Sequence, residues 1–454
     1  MDGQRNIVII GGGIIGNTIA YFLTRHPKFN PAVHRITILE AGSAIATGAS
    51  GKAGGLLALW AYPSCLVPLS YRLHAELAAE HDGPARWGYR KVKCGTVEAS
   101  VPESKIAAMR ARRREVTPGA QGGEEGKVWE KLPKQDATAQ ELLKEAPLPK
   151  DLDWVDNDVV LDWAEMARGG AADTAQVHPY HFTMSMAGLA EAAGVKTRTK
   201  AQVTDIKVKN GKVEGVEYKD RETGATVSLD DVTDLIVAAG PWTGKLLPRS
   251  KVDGLRAHSV VYEADLSAFA VFTDVELPRS FVPEHRAAKG EKRMHKGHVD
   301  PEIYARPFKE AYACGTRTFP FLSHQNNLTR ANRGFLAGEP DTLVPLPDVV
   351  DDVRHDEGLC DDITAYIATF SRLLGAAPVK AKQACYLPRH MRFGQESGPL
   401  VGRTVVPGLY VASGHTCWGV QNAPATGKLM AEMLFDGEAT SSNIDNLDPR
   451  KFKV

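Results

Sequence analysis

The chain has 454 residues, in which 55 Lys and Arg balance 55 Asp and Glu, and 43% of the residues are hydrophobic. At about 150 residues per domain, this length predicts two or three domains with a large buried core. A formal net charge of zero argues against a nucleic-acid partner and against attraction to an anionic membrane, since both need a basic surface.

Neither the N-terminus nor the cysteines suggest an exported protein. We expect no secretory signal, because the first residues lack a basic leader followed by an apolar run. The most apolar stretch, residues 54–69, contains Pro63 and Pro68 and is too short to span a membrane. The six cysteines lie far apart, without a CxxC pair or zinc spacing, at Cys65, Cys94, Cys314, Cys360, Cys385 and Cys417. We therefore predict reduced thiols, no metal site and a cytoplasmic location.

A strand, a helix and a second strand are predicted within about the first 40 residues, which is the size of a βαβ unit. Residues 6–10 form an apolar run that ends in glycines, as in a buried parallel strand. Residues 14–25 follow with apolar side chains on one helical face, and residues 35–39 are again apolar.

Three glycines at this strand–helix junction predict a dinucleotide site. Gly11 permits a tight turn, Gly13 lets the backbone approach a diphosphate, and Gly16 lets the helix pack on the strand. The free N–H groups at the helix N-terminus favour phosphate. Glu40 ends the second strand, where a carboxylate can accept hydrogen bonds from ribose hydroxyls and would repel a 2′-phosphate. This pattern alone does not distinguish FAD from NAD.

The remaining chain shows both helical and strand patterns. Residues 103–150 are charged and contain Pro and Gly, which predicts an exposed, mobile insertion. Residues 201–218 flank Asn210-Gly211, a strong hairpin signal. An antiparallel sheet of a second domain is predicted over residues 256–320. Further elements are predicted at 177–194 (helix), 234–239 (strand), 364–374 (helix), 409–412 (strand) and 420–434 (helix).

Four segments resemble the family of D-amino-acid oxidase, glycine oxidase and sarcosine oxidase. They are GASGKAGGLLA (48–58), AQVTDI around Val203, DLIVAAGPWT (234–243), and GPLVGRT followed by GLYVASGHTCWGVQNAPATGKLMAEML. The resemblance implies an α/β fold, with a Rossmann-type FAD-binding domain and a second, α+β substrate domain built on an antiparallel sheet. We expect residues 1–90, 150–250 and 395–454 in the first domain, and residues 91–149 and 251–394 in the second.

The resemblance also implies which residues contact FAD. The last segment places a helix N-terminus beside the flavin, where it would stabilise the negative charge of the reduced ring. The expected cofactor residues are Gly11, Gly13, Ile14, Ile15, Gly16, Glu40, Ala41, Ser50, Gly51, Lys52, Ala53, Gly54, Gly55, Leu56, Val203, Ala239, Gly240, Trp242, Gly414, His415, Trp418, Gly419, Val420 and Gln421. Cys385 matches a position at which some relatives attach flavin covalently, but a buried, inert thiol with non-covalent FAD is the preferred interpretation.

Several side chains are candidates for catalysis. Arg389 is placed to bind a substrate carboxylate, although glycine-oxidase relatives carry that arginine where this chain has Leu387; Arg306 and Arg317 are alternatives. Lys52 would provide positive charge for oxygen chemistry, or it is a solvent-exposed lysine. The other candidates are His415 and Trp418 in the flavin-facing loop, and Tyr304 in the substrate domain, whereas His178 is expected to be structural.

The implied activity is oxidation of a C–N bond in a small amine or amino acid. A hydride passes from the carbon next to the nitrogen to flavin N5, and oxygen is the expected acceptor, giving hydrogen peroxide. Three alternatives stay open: a flavin dehydrogenase with another acceptor, a low-turnover flavoprotein with a binding or trafficking role, and an NAD-dependent dehydrogenase.

Overall fold

The computed structural model describes residues 3–115, 147–166, 173–315 and 344–454. The helices among them are α1 (Ile14–Arg25), α2 (Ala49–Lys52), α3 (Val67–Glu80), α4 (Gly83–Trp87), α5 (Glu103–Glu115), α6 (Pro179–Ala192), α7 (Thr243–Leu246), α8 (Glu284–Ala287), α9 (Glu357–Ile367), α10 (Arg372–Ala376) and α11 (Gly419–Phe435).

The strands are β1 (Arg5–Ile10), β2 (His34–Leu39), β3 (Leu56–Ala58), β4 (Arg90–Lys91), β5 (Lys93–Ser100), β6 (Val160–Glu165), β7 (Thr174–Gln176), β8 (Lys196–Arg198), β9 (Ala201–Lys209), β10 (Lys212–Asp220), β11 (Thr226–Leu229), β12 (Asp234–Val237), β13 (Val252–Glu263), β14 (Phe269–Glu276), β15 (His298–Val299), β16 (Pro301–Arg306), β17 (Glu310–Gly315), β18 (Val379–Arg392), β19 (Gln395–Ser397), β20 (Leu400–Arg403) and β21 (Leu409–Ser413).

The first layer is a sheet of six described strands in the order β20-β21-β12-β1-β2-β8. Neighbouring strands are parallel except β20 and β21. Alternate residues of β1 face opposite layers: Ile7 and Ile9 pack with helices α1, α3, α6 and α11, whereas Val8 and Ile10 pack with β9 and β10. This burial on both faces explains why β1 is apolar throughout. The fold confirms the predicted Rossmann-type arrangement.

The two ends of the chain meet in this layer. β21 pairs with β12, which in turn pairs with β1. Helix α11 packs on α1 so closely that a Cβ at Gly427 would lie 2.7 Å from the carbonyl oxygen of Thr18. A glycine is therefore required where the two helices cross, and the C-terminal segment lies beside the β1–α1 turn.

The second large sheet contains nine described strands in the order β19-β18-β13-β17-β16-β14-β5-β6, with β15 paired to β14. Its pairs are antiparallel except β5 and β14, which are parallel. One face packs against α9 and α10, with Ile303, Ala305 and Ala311 buried there. The residues between them, such as Tyr304 and Tyr312, face the first layer.

Several sequence-based boundaries need correction. The helix predicted at 364–374 is two helices, α9 and α10. Asp356 caps the start of α9 by accepting a hydrogen bond from Leu359 N at 2.9 Å, and Ser371 caps the start of α10, so a new helix begins within the predicted one. β6 was expected in the nucleotide-binding domain with residues 150–250, but it pairs with β5 in the second sheet. The predicted insertion begins as helix α5, and its remaining part, residues 116–146, lies outside the described residues.

A buried ionic cluster joins the two layers. Glu310 accepts hydrogen bonds from His178 Nε2 at 3.1 Å, Lys380 Nζ at 2.7 Å and Arg306 at 3.3 Å. Arg306 in turn donates to the carbonyl oxygen of Ala53, between α2 and β3. Burial would raise the pKa of Glu310, but the hydrogen bonds from His178 and Lys380 lower it to about 2. The cluster thus fixes the second sheet against the first layer.

We predict that Glu310→Gln destabilises the protein by about 2 kcal/mol at pH 7, because it leaves the buried Arg306 without its carboxylate. A depressed pKa stabilises the fold above the unfolded-state value of about 4.3, and this contribution disappears as the pH falls towards 2. The difference in free energy of unfolding between the two proteins should therefore shrink below about pH 5.

Denaturant unfolding at pH 7, 5 and 3 checks this prediction. Glu263 is the matched control, since it is exposed and lies directly opposite Glu310 on β13. Equal destabilisation by Glu263→Gln and Glu310→Gln would contradict a specific role of the cluster.

Candidate functional site

A cavity opens at the carboxyl ends of β1, β2, β12 and β21. Its empty volume is about 1320 Å³, including the solvent space at its mouth. In doubly wound folds, this edge of the sheet is where nucleotides bind. Of the expected cofactor residues, the following line it: Gly11, Gly13, Ile14, Ile15, Glu40, Ala41, Ser50, Ala53, Val203, Ala239, Gly240, Trp242, His415, Gly419 and Val420.

The β1–α1 turn leaves no room for side chains. Gly11 has a φ of +115°, and a Cβ there would lie 2.3 Å from the carbonyl oxygen of Ala238. At Gly16 a Cβ would lie 2.1 Å from the carbonyl oxygen of Gly11. These contacts bring the start of α1 directly onto the end of β1 and β12, as the glycine spacing predicted.

The N-terminus of α1 points into this cavity. Gly13 precedes the helix and provides no side-chain cap. Ile14 N donates to Ser50 Oγ at 2.9 Å, so a residue of α2 closes one side of the turn. Asn17 Nδ2 donates to the carbonyl oxygens of Gly12 and Gly13, both at 2.9 Å, and keeps these acceptors away from the cavity. What the turn offers is a set of N–H groups and a partial positive charge, which suit a diphosphate.

Glu40 stabilises the loop around the predicted ribose position. Its two carboxylate oxygens accept hydrogen bonds from Gly12 N at 2.7 Å and Gly42 N at 2.6 Å. Burial raises the pKa of Glu40, and these two hydrogen bonds partly oppose the rise. Each carboxylate oxygen can accept a second hydrogen bond, so Glu40 can still bind ribose hydroxyls.

A segment that sequence reasoning missed covers the same end of the cavity. Residues 348–350 contribute to the lining. Trp242 Nε1 donates to Pro347 O at 2.7 Å, and Asp351 accepts hydrogen bonds from Ser43 N and, at 2.7 Å, from Arg221. The segment PLPDVVDD has no periodic pattern, so only contacts far apart in sequence place it here.

The opposite end is formed by the loop before α11. His415 is 3% exposed, and its Nε2 contacts Thr426 Oγ1 at 3.0 Å. No described group bonds its Nδ1. Burial lowers the pKa of His415 to about 3, which keeps the ring neutral. Trp418 precedes α11 and gives no side-chain cap, so the free N–H groups at the helix start, with Gly419 and Val420, face the cavity.

The remaining expected cofactor residues do not line the cavity. Gln421 is close behind it: its Oε1 accepts a hydrogen bond from Ala58 N at 2.8 Å, and its Nε2 has no described partner. Lys52 Nζ donates to Ala384 O at 3.0 Å, and burial lowers its pKa. The full set outside the lining is Gly16, Gly51, Lys52, Gly54, Gly55, Leu56, Gly414, Trp418 and Gln421.

The arginine predicted to bind a substrate carboxylate is already paired. Arg389 Nε and one terminal nitrogen each donate to Asp253 at 3.0 Å, and Arg389 does not line the cavity. Arg306 is committed to Glu310 and Ala53. Arg317 lies outside the described residues. Each of these two arginines thus forms an ion pair with a carboxylate of the protein, so that a role in binding a substrate carboxylate stays a prediction.

Aromatic side chains lie between the flavin-facing loop and the second sheet. Ring centroids are 5.6 Å apart for Trp60 and Trp418, 6.2 Å for Trp60 and Phe272, and 6.1 Å for Phe272 and Tyr304. A Cβ at Gly54 would lie 2.7 Å from the Tyr304 ring. Trp418 and Tyr304, both predicted near substrate, thus belong to one aromatic wall, whereas His178 caps α6 and bonds Glu310.

Comparison with known proteins agrees with this geometry. The family model described as "FAD dependent oxidoreductase" matches residues 6–433. The chain is 34% identical to "Putative oxidoreductase TDA3" of Saccharomyces cerevisiae, covering 99% of this chain and 95% of that protein. It is 31% identical to "Putative oxidoreductase C1F5.03c" of Schizosaccharomyces pombe, covering 99% of each.

Solved structures share the fold at low sequence identity. Glycine oxidase from Bacillus cereus has a TM-score of 0.61 at 18% identity and covers 98% of this chain and 100% of its own. L-proline dehydrogenase from P. horikoshii also has a TM-score of 0.61, at 14% identity, with 100% and 99% covered.

The residues present fit FAD. The crowded glycine turn, the starts of α1 and α11, neither of which has a side-chain cap from its preceding residue, and His415 Nδ1, which has no described partner, offer backbone and ring groups along one cavity. Within the described ranges, no group of three or more His, Cys, Asp and Glu residues could hold a metal ion. No described helix combines the length and the hydropathy needed to cross a bilayer. The family match also removes the alternative of an NAD-dependent dehydrogenase.

We predict that Glu40→Ala weakens FAD binding at least tenfold, about 1.4 kcal/mol, because it removes the ribose acceptor and leaves Gly12 N and Gly42 N without their partner. Fluorescence titration of the flavin-free protein with FAD measures this. Glu222→Ala is the control, since Glu222 is exposed and pairs only with Lys200 among the described residues. Equal FAD affinity of all three proteins would contradict the assigned role of Glu40.

Proposed function

This chain belongs to the FAD-dependent oxidoreductase family, and from that premise we propose that it oxidises a C–N bond of a small amine or amino acid, with oxygen as the electron acceptor. One observation carries the proposal: a single cavity runs from the α1 N-terminus, past Glu40 and Val203, to the His415 loop. Cys417 lines its far end, and the next residue, Trp418, begins a row of aromatic side chains that reaches the second sheet and suits a small organic substrate.

The cofactor carries the redox chemistry. FAD, when bound here, would supply the hydride acceptor for the carbon next to the amine nitrogen and would deliver the electrons to oxygen as hydrogen peroxide. The protein needs no acid–base pair for this step, in agreement with the neutral His415 beside the cavity. The start of α11, with Gly419 and Val420, provides a partial positive charge that stabilises negative charge at this end.

The activities in the names of the structurally similar proteins support the substrate class. They describe glycine oxidases, an iminodiacetate oxidase, an L-proline dehydrogenase and L-amino acid deaminases. A nitrogen next to the oxidised carbon is common to the compounds that these names give. The cysteines, which all lie in the described ranges, form no disulfide, and this supports a reducing, cytoplasmic setting.

An anaerobic screen of amines and amino acids tests the proposed function. The purified yellow protein is mixed with each compound, and the loss of flavin absorbance is followed. We expect at least one amine or amino acid to bleach the flavin, and air should then restore the colour with one hydrogen peroxide formed per substrate oxidised. If none bleaches it, the proposed oxidation is wrong. If bleaching occurs but air does not restore the colour, oxygen is not the acceptor.

We further propose that the flavin is bound without a covalent bond. Cys385 is buried on β18, does not line the cavity, and burial raises its pKa to about 11, so its thiol is a weak nucleophile. Acid precipitation should leave the yellow colour in the supernatant, and Cys385→Ser should keep the same flavin content. Colour that stays with the denatured protein, and disappears in Cys385→Ser, would contradict this.

A further inference from the structure

A carboxylate that the proposed function does not use faces the first layer from the second sheet. Glu302 lies on β16, where it shares a face with Tyr304 and Arg306, while Ile303 and Ala305 point into the opposite core. Glu302 is half-buried. A carboxylate at such a position is costly unless a charge or hydrogen-bond donors compensate it.

The described residues around Glu302 compensate the cost of burying its charge only in part. Tyr304 OH donates to Glu302 Oε2, and Cys314 Sγ lies 3.8 Å from the same oxygen. No Lys, Arg or His of the described ranges forms an ion pair with Glu302, and no described group donates to its Oε1. Among the described residues the site therefore contains negative charge and one acceptor without a donor, and a cation is the complementary ligand.

Glu302 lies close to the flavin-facing end of the cavity. Its partner Tyr304 adjoins Phe272, and Phe272 adjoins Trp60, whose ring centroid lies 5.6 Å from that of Trp418 in the flavin-facing loop. Cys417 lines the cavity and retains exposed surface. A chain of ring contacts thus connects the carboxylate to the loop that lines this end of the cavity.

Aromatic rings lie beside Glu302. Tyr304 contacts Phe272 and Tyr312, with centroids 6.1 and 5.9 Å apart, and Phe272 adjoins Trp60. The indole N–H groups of Trp60 and Trp418 are buried and have no described partner. Rings beside a carboxylate favour an organic cation, since their faces attract positive charge.

We propose that Glu302 and its aromatic neighbours bind the cationic nitrogen of the substrate, and that the substrate is an amine without an α-carboxylate. The inference rests on the proposed function and specifies its substrate class. It agrees with the ion pairs of Arg389 with Asp253 and of Arg306 with Glu310, since both arginines are neutralised by carboxylates of the protein. An anionic group next to Glu302 would also be repelled.

The binding should depend on pH through Glu302 itself. Burial raises the pKa of Glu302 to about 7, so its carboxylate gains charge between about pH 6 and 8. The groups that face it are Tyr304 and Cys314 on the sheet, Cys94 on β5, Cys417 on the loop and Asp300 before β16. Burial raises the pKa of the tyrosine and of the three thiols, so these stay neutral in this range. Affinity for a permanent cation should therefore increase with pH.

Equilibrium binding of benzyltrimethylammonium, a cation that neither titrates nor offers an oxidisable N–H, tests the site without turnover. Tryptophan fluorescence and the flavin difference spectrum of the FAD-loaded protein report binding, and benzoate serves as the anionic counterpart. We expect the cation to bind and benzoate not to bind. Glu302→Gln should weaken cation binding about tenfold and abolish its pH dependence. Glu302→Asp, which keeps the charge, should retain much of the affinity.

Glu98→Gln is the matched control, because Glu98 is an exposed carboxylate on β5 of the same sheet. It should bind the cation like the parent protein. Equal affinity of Glu302→Gln and the parent, with flavin content and Tm unchanged, would overturn the inference, as would tighter binding of benzoate. The proposed function would survive that result if amines still bleach the flavin. Conversely, if cation binding depends on Glu302 but no amine bleaches the flavin, the cation site is supported and the proposed amine oxidation is wrong.

Discussion

The close contact between the β1–α1 turn and the end of β12 determines how the rest of the site is built. A side chain at Gly11 would overlap the backbone of Ala238, and one at Gly16 would overlap the backbone of Gly11. The helix start is therefore as near to the strand ends as backbone atoms permit. Because of this approach, the N-terminus of α1 reaches the cavity, where Ser50 accepts a hydrogen bond from Ile14 N and Glu40 accepts one from Gly12 N.

A second glycine contact brings the end of the chain to the same place. Gly427 allows α11 to cross α1 at backbone distance, and β21 extends the sheet beside β12. As a result, the starts of α1 and α11 both point into one cavity although they are about 400 residues apart in sequence. Two helix N-termini in one cavity provide positive partial charge at both ends of a dinucleotide.

The charged residues of the second sheet that face the first layer have two different roles. At one end of β16 and β17, Arg306 and Glu310 neutralise each other and join the layers through Ala53 and His178. Farther along β16, Glu302 has a hydroxyl and a thiol as its hydrogen-bond partners within the described ranges. Both carboxylates face the first layer, yet only the second lacks a described cation. A carboxylate that forms ion pairs within the protein stabilises the fold, whereas one without such a pair can bind a ligand. The residue type is the same in both cases.

The sequence by itself determined the nucleotide half of the protein. Strand, glycine turn, helix and Glu40 are consecutive, so local sterics and periodicity specify them, and the hairpin at Asn210-Gly211 follows from its turn. Only the tertiary structure shows which charged side chains form ion pairs within the described part of the protein. Arg389 looked available until Asp253 of a neighbouring strand proved to be its partner, and Glu302 drew no attention in the sequence. The segment 347–351 reached the cavity through contacts with Ser43, Arg221 and Trp242. Such pairings join residues more than 100 positions apart, and no local pattern encodes them, since the free energy of a charge depends on what the fold places beside it.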